Sequence, residues 1–457
     1  MASERRSLVR RNADFRWFWG GQSISVLGTQ VTAVALPLVA ALTLGTGAGG
    51  IGLIATASFL PNALLPLFAG NWLDTRRRRS AMVGADVVRA LALAVVPISY
   101  ALDAVSIPLL VVVAFIVGSA SVVFDIGGFA YVPSLVDEDD LLKANRAMQG
   151  SSTAAQVGGP GVAGVLVQLM GPAVAILVDS ISYVASVFGL LAARRPEPMP
   201  EPVQVRLGIF EGLRQVVRNP FLRALTTHAA VYNASGQIFV VNIVVWMVKE
   251  RHVPVGVYGV ALSAAGAGAF LGTMMALRLA ERLGYGRAFA SSLVLSCGAP
   301  LVVALLPMHG VALGLGVGAV MVVSGTGLGS ANVLSTTLRQ VVTPRGSLAR
   351  TNGGYRFLIF GVIPIGSALG GVIGQVLGSR WGVGIGTMGL TVSAFPMWTR
   401  RMRALRDPAD AKQQVAGLDQ VGQPVPPQPV LPQPVIPAPE PVAPLPGAAT
   451  DVTAEAT

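Results

Sequence analysis

The stretch GNWLDTRRRRS, residues 70–80, places four consecutive arginines between two long apolar segments. No charged residue occurs from residue 31 to residue 73, and the chain turns mostly apolar again after Ala81. Ionisable side chains are costly inside hydrocarbon, at least about 2.5 kcal/mol each. The stretch is therefore predicted to be a loop that leaves a membrane between two spanning helices, and its arginines are expected to anchor the topology.

The composition extends this prediction to the whole chain. The 457 residues are 53% hydrophobic and only 12% charged, with a mean hydropathy of +0.64, whereas soluble proteins contain about 25% charged residues. A spanning helix needs about 20 apolar residues. The sequence therefore predicts an all-α integral membrane protein with twelve transmembrane helices, at about 17–44, 51–73, 80–101, 105–131, 144–170, 172–193, 221–248, 255–279, 287–307, 310–337, 347–377 and 380–399.

The basic residues are distributed unevenly over the loops. Alternate loops, beginning with the N-terminal segment, hold 28 of the 33 Lys and Arg residues, and the opposite loops hold only Lys249, Arg251 and Arg380. This asymmetry follows the positive-inside rule and predicts that both termini are cytoplasmic. It also accounts for the net charge of +11 without a nucleic-acid partner. The first apolar run has no small-residue cleavage site at its end, so we expect a retained helix and not a signal peptide.

An internal repeat appears when the sequence is shifted by 207 residues against itself. The shift superposes polar residues and glycines, including Asn12 on Asn219, Gln30 on Gln237, Gly52 on Gly259, and Gln168 on Gln375. We therefore predict two pseudo-symmetric six-helix bundles. The expected segments are residues 1–193 and 221–403 for the bundles, 194–220 for a cytoplasmic linker with an interfacial helix, and 404–457 for a Pro-rich disordered tail.

The opening stretch resembles the loop signature of the major facilitator superfamily, in which a glycine, three residues, an aspartate and basic residues lie between the second and third helices. The resemblance implies a conformational latch on the cytoplasmic side. In it, Asp74 caps the N-terminus of the eleventh helix, and the arginines pair with an acid on the fourth helix, matched here by Asp125. Thr75 departs from the signature, which has arginine there. The implied latch residues are Gly70, Asp74, Arg76, Arg77, Arg78, Arg79 and Asp125.

The fifth helix carries QVGGPGVAG, residues 156–164. Gly159, Pro160 and Gly164 resemble the antiporter signature of drug/proton exchangers in the superfamily, although Ala155 and Ala163 replace expected glycines. Helix bending and close packing by small residues remain the alternative. FRWFWGGQSIS, PSLVDEDDLLKAN, VDSISY and LRQVVTP look like the branch that contains the enterobactin exporter and macrolide efflux proteins. This resemblance implies export of small organic molecules, driven by proton entry.

Ionisable residues inside the predicted spans are few, and such residues mark functional sites by default. Asp86 and Arg89 are three residues apart on one helix, and we expect a structural pair. Asp125 and Asp179 are the candidates for proton coupling, with a structural role for Asp179 as the alternative. In this fold the substrate binds near the midplane between the halves. The candidate cavity residues are Gln30, Asn233, Gln237, Asn352, Tyr355 and Arg356.

Other functional classes lack their motifs. The three lysines do not occur in an ATP-binding P-loop, and the three histidines are isolated, so we predict neither an enzyme nor a metal or cofactor site. The expected partners are a small-molecule substrate, protons and the lipid bilayer of a bacterial inner or plasma membrane, with the protein acting as a monomer. Two alternatives remain: an importer of a small metabolite with the same fold, and a membrane sensor or assembly partner that transports nothing.

Overall fold

The computed structural model describes residues 8–66, 72–73, 76–195, 197, 209–343 and 348–421. Twelve main helices follow one another along the chain, and they are numbered here in that order. They are α1 Ala13–Leu38, α2 Ala48–Leu64, α3 Arg78–Ala101, α4 Ile107–Leu135, α5 Leu141–Met170, α6 Pro172–Ala192, α7 Pro220–Val244, α8 Val255–Leu283, α9 Tyr285–Leu293, α10 Gly310–Val342, α11 Leu348–Leu377 and α12 Ser379–Ser393.

The predicted all-α membrane fold is confirmed. Within the described ranges, nine helices are long and apolar enough to cross a membrane. The other three are α2 with 17 residues, α12 with 15 residues, and α5 with 30 residues, whose first half is polar. Wider helical turns extend α1 through Val39–Thr43 and α7 through Val245–Glu250, and two further segments, Val294–Gly298 and Ala299–Leu305, extend α9.

The internal repeat is visible in how α1 and α7 begin. The side chain of Asn12 accepts a hydrogen bond from the Phe15 amide and donates to the carbonyl oxygen of Leu135. Its repeat mate, Asn219, accepts from the amides at the start of α7 and donates to the carbonyl oxygen of Val342. Leu135 and Val342 are also separated by 207 residues. Each asparagine thus caps a first helix and ties it to the end of a fourth helix.

The helices form two six-helix bundles, α1–α6 and α7–α12. In the first bundle, α1 packs against α5 and α6, α3 against α4 and α6, and α2 against α4. In the second bundle, α7 packs against α11 and α12, and α8 packs against α10. The bundles meet along two helix pairs, α2 with α11 and α5 with α8. These two pairs are equivalent under the repeat.

The boundaries predicted for the bundles, linker and tail remain predictions, and residues Met1–Val415 form one compact unit. In the linker, the helix Ile209–Arg218 packs on α11, where Gly212 lies against Gly354 and Thr351 donates a hydrogen bond to Gln215. Within the predicted tail, Pro408–Val421 is helical, and residues 422–457 lie outside the described part of the chain. The remaining short helices are Leu8–Arg11, Glu138–Asp140, Phe395–Met397 and Arg400–Arg403.

Candidate functional site

The two bundles touch through pairs of glycines. A Cβ atom added to Gly52 on α2 would lie 2.5 Å from Cα of Gly371 on α11. A Cβ atom added to Gly164 on α5 would lie 2.9 Å from Cα of Gly259 on α8. Gly259 is the repeat mate of Gly52, and Gly371 is the repeat mate of Gly164. One close backbone contact therefore occurs twice, on the two sides of the interface between the bundles.

Polar contacts reinforce this interface near the end of the bundle at which α1 ends, called here the far end. The Gly256 amide donates to Oε1 of Gln168 over 2.7 Å, and in the equivalent place Gln375 lies beside Gly49. Lys249, after α7, donates to the carbonyl oxygens of Gly45 and Thr46, before α2, over 2.7 and 3.0 Å. These contacts hold the two bundles together at the far end.

The end at which α1 begins is called here the basic end because most Lys and Arg residues lie there. The described glycine and hydrogen-bond contacts between the bundles run from the far end to the middle of the helices and do not extend to the basic end. Asp125 on α4 and Arg356 on α11 are both exposed. The described ion pairs do not include these two residues. Asp125 and Arg356 therefore lie in the half of the molecule that the described contacts between the bundles do not reach.

Two arginines of the run, Arg78 and Arg79, donate hydrogen bonds to backbone carbonyls of their own bundle. Arg78 donates to the carbonyl oxygen of Ala130 on α4 over 3.0 Å, and Arg79 donates to two carbonyl oxygens at the end of α6 over 2.8 Å each. Both backbone amides bind the carboxylate of Glu197. These contacts hold the start of α3 against α4 and α6.

The structure gives fewer contacts for the remaining latch residues. The guanidinium of Arg76 lies over the ring of Trp72, 4.9 Å from its centroid, and Arg77 precedes the first residue of α3. Gly70 and Asp74 lie outside the described residues. Among the described ion pairs, none joins an arginine of the run to Asp125. Because the arginine run and Asp125 belong to the same bundle, their pairing does not depend on the separation of the bundles. The latch therefore stays a prediction.

Three of the candidate cavity residues lie at packed helix contacts. Gln30 on α1 lies against Gly159, whose added Cβ atom would be 2.5 Å from the Gln30 Cβ atom. Asn233 on α7 donates to the carbonyl oxygen of Ile359 on α11 over 2.9 Å, and Gln237 accepts from Ser367 over 3.3 Å. The amides of Asn233 and Gln237 thus tie α7 to α11, and all three side chains keep part of their surface exposed.

The other three candidates lie on α11, and their side chains point in different directions. Asn352 and Arg356 are one turn apart and exposed, and the Arg356 guanidinium lies 5.4 Å from the centroid of the Phe360 ring. Tyr355 is 6% exposed and packs under Arg339 of α10, with 4.1 Å between the guanidinium carbon and the ring centroid. Asn352 and Arg356 therefore lie on an exposed side of α11, and Tyr355 faces the interior of its own bundle.

The predicted helix-bending motif lies at the contact between the bundles. Helix α5 continues through Pro160, and the carbonyl oxygen of Pro160 lies 2.4 Å from the position of an added Cβ atom on Gly259. The Gly161 amide, which the sequence analysis did not single out, donates to Ser263 Oγ of α8 over 2.7 Å. Small residues let the two backbones approach this closely. The motif therefore provides the surface on which one bundle rests against the other.

Asp179, the second proton-coupling candidate, is completely buried in the first bundle. Ser182 donates to its Oδ1 atom over 2.9 Å and Thr32 of α1 donates to its Oδ2 atom. An added Cβ atom on Gly28 would lie 2.4 Å from Asp179 Oδ1, so only glycine leaves room for the carboxylate at this crossing of α1 and α6. The predicted ion pair of Asp86 with Arg89 is present on α3 and is buried.

A second charged cluster lies outside the spans, at the basic end. Asp140, just before α5, forms ion pairs with Arg11 and Lys143. The hydrogen bond from Lys143, together with the positive charges of Arg11 and Lys143, holds the pKa of Asp140 below its usual value of 3.8. The cluster ties the chain before α1 to the start of α5. Its residues belong to the loop phrase PSLVDEDDLLKAN, and the contact with Arg11 could not be read from sequence spacing.

Comparison with known proteins agrees with this architecture. Residues 9–423 match the family described as transmembrane secretion effector, MFS_3. The multidrug efflux pump Tap of Mycobacterium tuberculosis is 27% identical over 44% of this chain and 50% of its own length. The uncharacterized MFS-type transporter YvqJ of Bacillus subtilis is 22% identical over 50% of this chain and 56% of its own. The chain spans about half the length of the curated relatives it matches.

A solved structure shows the same fold over nearly the whole chain. The bacterial homologue of the iron transporter ferroportin, in its inward-facing state, superposes with a TM-score of 0.69 at 17% identity, covering 86% of this chain and 98% of that one. The family and the fold are those of transporters and not of enzymes. The chain is therefore a member of the transmembrane secretion effector family of major facilitator superfamily transporters.

Proposed function

We propose that the protein exports small organic molecules, such as drugs, antibiotics or siderophore-like compounds, by alternating access in exchange for protons. The observation that carries the proposal is the one-sided contact between the bundles, which touch through paired glycines at the far end and expose Asp125 and Arg356 at the basic end. A gap that opens at one end of two repeated bundles is the geometry of a rocking transporter. The similarity to multidrug efflux pumps supports the outward direction.

The charge distribution supports an orientation. Because 28 of 33 Lys and Arg residues lie in loops on one side, we assign the basic end to the cytoplasm of a bacterial cell and place both termini there. The gap of this structure then opens to the cytoplasm, where an exporter loads its substrate. We propose that the protein works in the inner or plasma membrane as a monomer.

The gap supports a partly polar, preferably anionic substrate. Arg356 supplies a cation, Asn352 supplies an amide one turn away, and the Phe360 ring lies beside the guanidinium. The exposed parts of Gln30, Asn233 and Gln237 contribute further amides, at the contact of α1 with α5 in the first bundle and of α7 with α11 in the second. An anion bound by Arg356 would compete with Asp125 for the same charge. Substrate binding and the protonation of Asp125 would therefore influence each other.

Closure of the basic end requires a device that holds the two bundles together there. We propose the latch described by the loop signature, with Asp74 at the start of α11 and the arginine run near Asp125. Asp74→Asn should slow transport while the apparent affinity for substrate changes by less than about threefold, because the variant affects closure of the gap and not the cavity. Unchanged turnover by this variant would exclude the latch.

The function is tested with purified protein in liposomes and a fluorescent efflux dye. Transport of dye from the basic end to the far end should accelerate when the solution at the far end is made more acidic than that at the basic end. It should stop when an ionophore collapses this proton gradient. Arg356→Gln should reduce the export of anionic dyes more than that of neutral dyes, with Arg380→Gln, exposed in the first turn of α12 at the far end, as the matched control. Dye movement in the opposite direction would favour the importer, and no movement of any substrate would favour the sensor.

A further inference from the structure

A groove runs between α3 and α4 near the basic end of the first bundle, with a volume of about 840 Å³. Its walls are mostly small or apolar side chains, among them Gly84 and Val88 of α3 and Ile116 and Val123 of α4. Because successive residues of a helix are about 100° apart, Asp125 lies on the opposite side of α4 from Ile116 and Val123. The groove is therefore on a different face of α4 from the candidate for proton coupling.

The groove is open on the outer flank of the first bundle. Val88, Phe115 and Ile116, which line it, are exposed apolar side chains. Helix α3 packs against α4 and α6 of its own bundle, whereas the two bundles meet along α2 with α11 and α5 with α8. Exposed apolar patches of this kind mark surfaces that interact with a membrane or a partner. In a chain that spans the bilayer, this flank is in contact with lipid.

The depth of the groove matches one leaflet of a bilayer. Ser80 lies at its mouth and Val88 lies eight residues further along α3, which is about 12 Å at 1.5 Å per residue. One leaflet contains about 15 Å of hydrocarbon, half of the total thickness. A second groove, of about 440 Å³, continues from Ile116 toward the far end between the same two helices. The first groove is thus long enough to hold much of an acyl chain from the leaflet at the basic end.

A basic cleft opens beside the mouth of the groove. It has a volume of about 460 Å³, and it is lined by four arginines from the start of α3 and the end of α6: Arg77, Arg79, Arg194 and Arg195. Arg77 and Ser80 line both the cleft and the groove. A single molecule can therefore place a polar part in the cleft and an apolar part in the groove.

The carboxylates around the cleft do not neutralise its arginines. Three of them lie in or beside it: Glu197, Asp137 and Asp14. Glu197 and Asp14 accept hydrogen bonds from backbone amides, and Asp137 pairs with Arg195. The exposed side chains of Arg77 and Arg194 form no ion pair or hydrogen bond within the described part of the chain. Two guanidinium groups therefore remain available to an anion.

Trp72 and Arg76 complete the mouth of the groove. Both line it, and the guanidinium carbon of Arg76 lies 4.9 Å from the centroid of the Trp72 ring. Tryptophan side chains concentrate at the level of the lipid headgroups, where one part of the ring is in an apolar environment and the other is wet. The mouth of the groove and the adjoining cleft therefore lie at the depth at which a phospholipid carries its phosphate.

We propose that the cleft and the groove together bind one anionic phospholipid from the leaflet at the basic end, with its phosphate in the cleft and an acyl chain in the groove. Arginine forms bidentate hydrogen bonds with phosphate oxygens, and basic pockets between membrane helices bind anionic headgroups. The lipid contacts only the first bundle, where it joins the start of α3 to α4 and to the end of α6. Binding of this lipid does not depend on the proposed export.

The site is tested on the full-length protein by native mass spectrometry after incubation with equal amounts of phosphatidylglycerol and phosphatidylcholine that carry the same acyl chains. The wild type should retain one phosphatidylglycerol in preference to phosphatidylcholine. The double variant Arg77→Gln/Arg194→Gln should bind it about 25-fold more weakly, since about fivefold for each arginine corresponds to about 1 kcal/mol per basic residue at a membrane surface. Equal retention of the two lipids by the wild type would overturn the proposal.

A second double variant controls for the loss of charge. Arg282→Gln/Arg287→Gln removes two exposed arginines between α8 and α9, at the basic end of the second bundle. It should change the retention of phosphatidylglycerol by less than about twofold, because those arginines do not line the cleft. Equal weakening in the two double variants would show attraction to the basic surface as a whole and would overturn the proposal.

Inorganic phosphate distinguishes a lipid site from a site for a free anion. In large excess it should leave the phosphatidylglycerol bound, because it lacks the acyl chain that occupies the groove. Displacement of the lipid by inorganic phosphate would contradict the proposal, since binding would then depend on the cleft alone.

The groove is tested by filling it. An added Cβ atom on Gly84 has nothing within 4 Å, so the side chain of Gly84→Leu extends into the groove without a clash, and leucine favours the helix more than glycine does. Excluding even one methylene group of the acyl chain should weaken retention of phosphatidylglycerol at least about fourfold. Gly150→Leu, at an exposed and equally open position on α5, should leave retention unchanged. Wild-type retention by Gly84→Leu would place the lipid elsewhere and overturn the proposal.

Discussion

The glycine contact between α5 and α8 allows a direct test of the rocking interface. In Gly164→Ala, the new methyl group would lie 2.8 Å from the carbonyl oxygen of Val255 and 2.9 Å from Cα of Gly259. Carbon atoms in contact prefer about 3.5–4.0 Å, so the two backbones must separate. Overpacking of this kind costs about 1–3 kcal/mol. The state in which the far end is closed should therefore lose about 5-fold to 150-fold in population relative to the opposite state.

A control on the same helix removes the other effects of alanine. Gly158→Ala has nothing within 4 Å of its new methyl group, and it gains the same helix propensity as Gly164→Ala. Because α5 is helical in both conformational states, the gain in helix propensity does not change the free-energy difference between them. Gly52→Ala repeats the experiment at the equivalent contact, where the methyl group would lie 2.5 Å from Cα of Gly371.

The population can be measured by thiol labelling. Cys297 is buried and is the sole cysteine, so Cys297→Ser gives a background for a single reporter, Thr56→Cys, at the contact of α2 with α11. A membrane-impermeant maleimide added at the far end should label this reporter at least about fivefold faster in Gly164→Ala and in Gly52→Ala than in Gly158→Ala. Equal labelling rates in all three variants would refute the reasoning.

Three further predictions follow from individual contacts. Lys249→Met removes the two hydrogen bonds to Gly45 and Thr46, so it should weaken closure of the far end by about 1 kcal/mol and raise the labelling rate at Thr56→Cys about fivefold, while Arg380→Met leaves the rate unchanged. Asp140→Asn should lower the midpoint of thermal unfolding at neutral pH. Because the pKa of Asp140 is lowered by folding, its contribution is present above pH 3.8 and is lost as the pH falls below that value, so wild type and variant should converge in acid and a constant difference would contradict the assignment. Asn12→Ala and Asn219→Ala should each destabilise the protein by about 1 kcal/mol, because each removes a helix cap and a tie to a fourth helix, and a large effect from only one of them would count against equivalent roles.

The sequence was sufficient for the architecture because spanning helices are defined by local composition. The runs predicted from apolar length correspond to α1–α12. The shift of 207 residues identifies Gln168 and Gln375 as repeat mates, and in the structure they lie in equivalent places, beside Gly256 and Gly49. The wider turns at Val39–Thr43 and Val245–Glu250 were not predicted, since a change in hydrogen-bond spacing leaves no mark on an apolar run.

The direction of side chains was harder to predict than the position of helices. Tyr355 was expected in the cavity, yet it packs under Arg339, because α11 is apolar on several faces and its pattern does not distinguish the gap from the bundle interior. The Asp86 pair with Arg89 was predicted from local spacing, but the rings of Phe124 and Tyr183 that hold Arg89 come from other helices. Lys249 was identified from the sequence only as one of three basic residues on its side of the membrane, because its hydrogen bonds to Gly45 and Thr46 join distant parts of the chain.

The central claim, that the two bundles rock about a gap, is tested by distances between spin labels at both ends of α5 and α8 in lipid. One pair, Leu142 and Leu283, is exposed near the basic end, and the other pair, Leu169 and Val260, is exposed near the far end. On raising the pH or adding a transported dye, we predict that the distance between Leu142 and Leu283 shortens while that between Leu169 and Val260 lengthens. If both distances shorten, if both lengthen, or if neither changes while dye is transported, the account is contradicted.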